Sequence, residues 1–196
     1  LDEFVGFLVS EGVAAFHCSN LQGCGRGRET EDLKAPLLAY AQAMVDLAAK
    51  WAGDIDMSFA ENYLKPPRRV RKLNCGVGRG MVEVDARGVL YPCYVLMEQG
   101  CEVGRADAPD LAALFRDAPP LEHLRAAAVD SMDLCRECEF RYICGGGCLA
   151  QTPEDHKRNC LEYKKYFRWV IMEGAAERAR IQKAREHEPF NSHQED

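Results

Sequence analysis

Apolar positions recur along this chain with two periods, and the change from one to the other marks a change of architecture. In residues 1–12, Leu1, Phe4, Val5, Leu8 and Val9 fall at i, i+3, i+4, i+7 and i+8, the face of an amphipathic helix that Gly12 ends. Residues 13–17 are a short apolar run that predicts a strand, and the glycine-rich stretch 18–28 predicts a loop. A second helix is predicted over 31–51, rich in Ala and Leu, with Gly53 just past its end and a short strand over 55–58. Such alternation of helix and strand predicts a parallel sheet.

Past Tyr63 the pattern changes. Residues 65–72 are basic and broken by Pro66 and Pro67, which predicts a linker. Residues 81–91 alternate apolar and polar on both sides of Asp85-Ala86-Arg87-Gly88, the signature of a β-hairpin in which Gly88 takes a positive φ and Asp85 and Arg87 serve the turn. Helices are predicted near 110–116, behind the acidic positions Asp107 and Asp110, and from Pro119 or Pro120 to Val129. Residues 135–148 read as an irregular cysteine-rich segment. A last helix is predicted over 160–188, with Leu161, Tyr163, Tyr166, Phe167, Val170 and Ile171 as its apolar face. Its second half mixes charges of both signs and reads as a solvated extension, and the tail past Pro189 reads as loose.

The chain has 196 residues, 47% of them hydrophobic, enough to bury a core. Its 25 Lys and Arg against 31 Asp and Glu leave a formal net charge of -6, which argues against nucleic acid or an anionic membrane as partner. No run approaches the roughly 18 apolar residues of a membrane-spanning helix. Ten cysteines are more than ordinary usage and fewer than a small disulfide scaffold carries, so their spacing decides their role.

Seven of them form one pattern: Cys75-x12-Gly88-x4-Cys93, then Cys135-x2-Cys138-x5-Cys144-x3-Cys148, then Cys160. Seven thiols suit two metal centres, one with four ligands and one with three, better than they suit disulfides. A Cys-x2-Cys turn lets two thiolates bite one centre, and Gly145-Gly146-Gly147 lets the backbone crowd in between Cys144 and Cys148. Zinc and iron–sulfur both accept four thiolates. A zinc ribbon usually shows two Cys-x2-Cys knuckles, whereas in two-cluster ferredoxins the last cysteine of a compact run ligates the other cluster, which favours iron–sulfur here.

This pattern resembles the SPASM domain, the C-terminal auxiliary-cluster domain of radical SAM maturases that modify peptides and proteins. The resemblance covers about residues 75–160. It implies one 4Fe-4S cluster on Cys135, Cys138, Cys144 and Cys160, and a second auxiliary cluster on Cys75, Cys93 and Cys148, its fourth site open or filled by Cys101. The residues before Cys75 resemble the last βα units of a radical SAM partial barrel. The fold class implied is α/β: those units (1–64), a linker (65–74), a small α+β SPASM domain with a hairpin, cysteine-rich loops and a helix (75–165), and a C-terminal helix and tail (166–196).

The family's Cys-x3-Cys-x2-Cys motif is absent from these 196 residues, and Gln151 stands where Cys144-x3-Cys148 would need its third cysteine. By resemblance, then, the chain is the C-terminal portion of an enzyme whose N-terminal radical SAM half holds a third 4Fe-4S cluster and SAM. That half generates a 5'-deoxyadenosyl radical, and the auxiliary clusters take up an electron or bind the substrate. The partners implied are the radical SAM half, a peptide or protein substrate, and a reductant such as a flavodoxin or ferredoxin, in the cytoplasm. The rival readings are a non-catalytic zinc-structured interaction module and a stand-alone iron–sulfur electron-transfer domain.

Cys18 and Cys24, at the end of the first predicted strand and in the loop after it, either approach a substrate or cluster or are ordinary thiols. His17 reads as a hydrogen-bonded core histidine or a group near the site. Arg26 and Arg28 face either a carboxylate or water. His123, His156, His187 and His193 read as surface residues, and Trp51 and Trp169 as helix-packing residues.

Overall fold

A computed structural model describes residues 1–21, 25–65, 70–73 and 75–187 of the chain, a mixture of helix and sheet. In chain order the elements are α1 (Asp2–Ser10), α2 (Leu37–Lys50), β1 (Glu83–Val84), β2 (Val89–Tyr91), β3 (Gly104–Arg105), α3 (Leu111–Asp117), α4 (Pro119–Ala126), α5 (Arg141–Cys144) and α6 (Pro153–His187). Short 3-10 turns lie at Gly25–Arg28, Glu31–Leu33, Ser58–Leu64 and Tyr94–Gln99. Two units divide the chain. One comprises Leu1–Gln22, Glu31–Arg68 and Glu162–Asp196, the other Gly23–Thr30 and Arg69–Leu161. Cys24, most of the expected linker, His193 and the tail past Pro189 lie outside the described residues.

In the first unit Pro36 divides the helix expected over 31–51. It stands in an extended conformation (φ -54°, ψ 138°) as the cap of α2, and the residue before a proline is itself disfavoured from the helical region. The acidic turn Glu31–Leu33 is therefore separate. The two expected strands are reduced to one parallel bridge between Ala15 and Asp56. There the Phe16 N–H donates to the Asp56 carbonyl at 3.0 Å and the Asp56 N–H to the Ala14 carbonyl at 2.9 Å. Among the described residues no further strand flanks this pair, so neither segment extends beyond the bridge.

The core of this unit gathers Val5 of α1, Ala41, Met44 and Val45 of α2, then Ile55, Met57 and Leu64, and finally Trp169, Val170 and Ile181 of α6. The α1 stripe is only half used: Val5 is fully buried, while Leu1 and Phe4 stay 57% and 49% exposed. Asp2 ties α1 to the end of α2, accepting from Lys50 Nζ at 2.5 Å and Trp51 Nε1 at 2.9 Å.

The second unit is organised by the hairpin. Asp85 Oδ1 accepts the N–H groups of Arg87 and Val89, each at 2.9 Å, and Gly88 turns the chain with φ 77°. Glu83 pairs with Tyr91 and Val84 with Leu90 in antiparallel register. A third strand, β3, joins through Val89 with Arg105 and Leu90 with Gly104. Two residues are too few to show alternation, so nothing in the sequence pattern announced it. Asp110 caps α3 by accepting the Ala113 N–H at 2.9 Å, and Pro119 opens α4. Arg125 of α4 donates to the carbonyls of Gly78 (2.7 Å), Arg116 (2.9 Å) and Phe115. Leu121, Leu124, Leu90, Leu96, Val77 and Val103 form the apolar cluster beneath.

α6 starts seven residues before Cys160, its predicted first residue. Thr152 Oγ1 accepts the Asp155 N–H at 3.1 Å, as an N-cap side chain does, and donates to Asp155 Oδ2 at 2.8 Å, and Pro153 occupies the first turn. Cys160 thus lies inside the helix rather than at its start. No described helix is long and apolar enough to cross a membrane.

Candidate metal centre

Nine of the ten cysteines lie among the described residues, all as thiols rather than disulfides. Seven belong to the second unit's two thiol groups.

The first group is built on consecutive chain reversals. The Cys135 N–H donates to the Met132 carbonyl at 2.9 Å, the Cys138 N–H to the Cys135 carbonyl at 2.8 Å, and the Arg141 N–H to the Cys138 carbonyl at 3.1 Å. These turns lead into α5, which ends on Cys144. Burial pushes the Cys135 thiol up to about 11, with Cys144, Cys160 and Cys138 adding to the shift. The Cys144 thiol is raised chiefly by burial, and by Cys160 and Cys138. The N–H groups of Gly146 and Gly147 point at its sulfur and oppose the rise. Gly145, Gly146 and Gly147 all have positive φ (68°, 86° and 70°), a backbone conformation that glycine adopts without penalty.

His156 joins this group, contrary to its reading as a surface residue. Its Nε2 lies 3.9 Å from the Cys135 sulfur, and the residue is half-buried. It precedes Cys160 by four positions, so the two share one face of α6. The i, i+4 signal was present in the sequence, but a helix taken to start at Cys160 left His156 outside it.

The second group surrounds the apolar cluster under the hairpin. Cys93 follows β2 in an extended conformation (φ -166°, ψ 148°) and caps the turn Tyr94–Gln99. It belongs to the cluster itself, while Cys75 packs against it, as do Leu149 and Ala150, the two residues after Cys148. Burial raises the Cys93 thiol, the Val95 N–H opposes this, and Cys148, Cys75 and Glu83 add to the rise. Cys101 packs on the same cluster, its sulfur 3.8 Å from the Gln99 carbonyl oxygen. Glu83, on β1, is an acid the sequence reading passed over.

Electrostatic neighbourhood therefore joins Cys135, Cys138, Cys144 and Cys160, and separately Cys75, Cys93 and Cys148. Among the described residues no set of three or more His, Cys, Asp or Glu side chains is arranged to hold a metal ion as it stands. Burial raises the thiols of Cys93, Cys135 and Cys144, and a metal would have to displace their protons to bind. The seven thiols fall into groups of four and three neighbours, with N–H groups directed at Cys144 and Cys93, and sulfur is the donor that thiolate metal sites use.

The remaining candidates lie elsewhere. His17 is exposed, not a core residue; its ring tilts against Phe59 with centroids 4.4 Å apart. Cys18 is half-buried, and its carbonyl accepts the Tyr40 hydroxyl at 2.6 Å. Arg26 and His123 are exposed. Trp169 is a core residue, and Trp51 is partly buried against the same core. A cavity of about 300 Å³ in the first unit is lined by Ala48, Ala52, Ile55 and Met57, with Asp56 and Arg185 as polar members.

No family model matches the chain. No solved structure matches it either. A stretch of 77 residues, 39% of the chain, is 36% identical to a protein of Archaeoglobus fulgidus (strain ATCC 49558 / DSM 4304 / JCM 9628 / NBRC 100126 / VC-16) described as an uncharacterized protein. The stretch makes up 18% of that protein, so the match spans less than a fifth of the relative's length.

Proposed function

We propose that this chain is the C-terminal portion of a radical SAM/SPASM enzyme, holding two auxiliary iron–sulfur clusters that support radical modification of a peptide or protein side chain. The observation that carries the reading is the separation of Cys144 from Cys148. Four residues apart, they act on different thiol groups, Cys144 with Cys135 and Cys148 with Cys93. A single structural zinc would draw neighbouring cysteines together, whereas two centres divide them.

In this reading Cys135, Cys138, Cys144 and Cys160 hold one cluster, and Cys75, Cys93 and Cys148 hold the other, with Cys101 or an open position as the fourth corner. When bound, such clusters supply a one-electron acceptor or an open iron for substrate. The protein's part is to exclude water with the apolar cluster around Cys93 and to direct the N–H groups of Gly146, Gly147 and Val95 at the sulfurs. Residues 1–64, whose two predicted strands meet only at one parallel bridge, are read as the last βα units of a partial (β/α) barrel. SAM, its cluster and the initiating chemistry belong to an N-terminal half, and a flavodoxin or ferredoxin supplies electrons in the cytoplasm.

The test is metal analysis of anaerobically purified chain, with Cys138→Ala and Cys93→Ala alongside. About eight irons with matching sulfide are expected, each variant losing roughly half. One or two zincs in a colourless protein would replace the redox reading with that of a zinc-structured interaction module.

A further inference from the structure

We propose that His156 is a positioning residue of the four-cysteine centre: its Nε2–H donates a hydrogen bond to the Cys135 sulfur and sets how readily that centre accepts an electron. The inference rests on the reading that Cys135, Cys138, Cys144 and Cys160 hold an iron–sulfur cluster.

The geometry begins with the start of α6. The two bonds between Thr152 and Asp155 pin the first turn, and Arg158 pairs with Asp155 at 2.5 Å. The His156 N–H donates to the Thr152 carbonyl at 2.9 Å, so its backbone is fixed before its side chain is considered. Four residues later, on the same helix face, comes Cys160. The imidazole is half-buried, and its Nε2 lies 3.9 Å from the Cys135 sulfur, at the long end of a hydrogen bond to sulfur.

Chemistry then determines the direction of the bond. A metal-bound thiolate has no proton and can only accept, so the ring nitrogen facing it must carry the hydrogen. Reduction adds negative charge to the cluster and its sulfurs. An N–H directed at one of them therefore stabilises the reduced form more than the oxidised form and raises the potential. Cys144 and Cys93 receive such bonds from main-chain N–H groups, which substitution cannot delete. At Cys135 the donor is a side chain, so this contribution can be removed by itself.

The experiment uses the full chain reconstituted anaerobically with ferrous iron and sulfide, as wild type, His156→Ala and His156→Gln. Each is titrated with dithionite at one fixed pH, and the reduced fraction is read by electron paramagnetic resonance, with iron and sulfide assayed in parallel. In His156→Ala the expected result is unchanged iron and a reduced-to-oxidised ratio about tenfold lower at a given potential, which is about 59 mV for one electron. His156→Gln keeps an N–H donor and is expected to recover most of the shift. An unchanged ratio with intact iron would overturn the role of His156 and leave the cluster reading standing. Loss of iron in His156→Ala would make His156 a ligand and overturn the proposal in that way. Absence of iron and sulfide from the wild type would remove the cluster reading, and the inference with it.

Discussion

Three glycines of the second unit separate backbone strain from steric crowding. At Gly80 φ is not positive and an added Cβ meets nothing within 4 Å, so Gly80→Ala should change stability by no more than about 0.5 kcal/mol. At Gly100 the space is equally open but φ is 69°, so Gly100→Ala should cost the left-handed penalty alone, about 1–2 kcal/mol. At Gly146 φ is 86°, and a Cβ would lie 3.0 Å from Met132 Sδ and 3.3 Å from Val129 Cγ1. The flexible thioether can yield while buried Val129 cannot, so crowding adds about 1 kcal/mol and the total is about 2–3 kcal/mol. Urea denaturation of the metal-free chain, followed by far-UV circular dichroism, measures the series. With a slope of about 2 kcal/mol per molar, the Gly146→Ala midpoint should fall by about 1–1.5 M, and that of Gly100→Ala by about half as much. Equal midpoints for Gly100→Ala and Gly146→Ala would refute the crowding argument, and an unshifted Gly100→Ala would refute the strain argument.

Tyr166 donates its hydroxyl to the Tyr63 carbonyl at 2.7 Å, and burial pushes its phenol up to about 12; Tyr166→Phe should cost about 1–2 kcal/mol, read from tryptophan fluorescence in urea, and an unmoved midpoint would show the bond contributes nothing. The Cys135 thiol is raised from 9.0 to about 11, so in the metal-free chain its stabilising contribution is complete below pH 9 and is lost as pH rises through about 11. The urea midpoint should decline over that window and less so in Cys135→Ala, and iodoacetamide should label Cys135 far more slowly at pH 8 in the native chain than in the denatured one. Asp85 is held below the usual carboxylate value by the Val89 N–H and by Arg87, so its contribution is present above pH 3.8 and is lost as pH falls through its lowered value. Carboxyl chemical shifts should show that depressed titration, and Asp85→Asn should remove the corresponding acid dependence of stability.

The features legible in the sequence were those encoded within a few residues. Asp85 and Gly88 announced the hairpin because one side chain and one positive φ are enough to make the turn. Asp110 and Pro119 announced helix starts for the same reason. Pro36 was equally visible, but an Ala- and Leu-rich run on either side hid the break it makes. The strand signals at 13–17 and 55–58 failed because a strand is completed by neighbours, and each here meets one partner at one bridge. At the candidate site the spacing singled out seven cysteines as candidates, while His156, Glu83 and the N–H donors of Gly146 and Gly147 carried no signal in it. His156 depended on where α6 begins, Glu83 on strand register, and the glycine N–H groups on backbone angles that carry no side-chain signature.

Between Cys144 and Cys148 the chain has three residues, every one of them a left-handed glycine, and the cysteines on either side serve different thiol groups. Surface loops ordinarily tolerate a residue more or less. Here chain length itself is a determinant: deleting one glycine would rotate Cys148 away from Cys93 and Cys75, and inserting a residue would slacken the turn that aims N–H groups at Cys144. Insertions and deletions in this tract would therefore be as damaging as loss of a cysteine, although they remove no side chain at all.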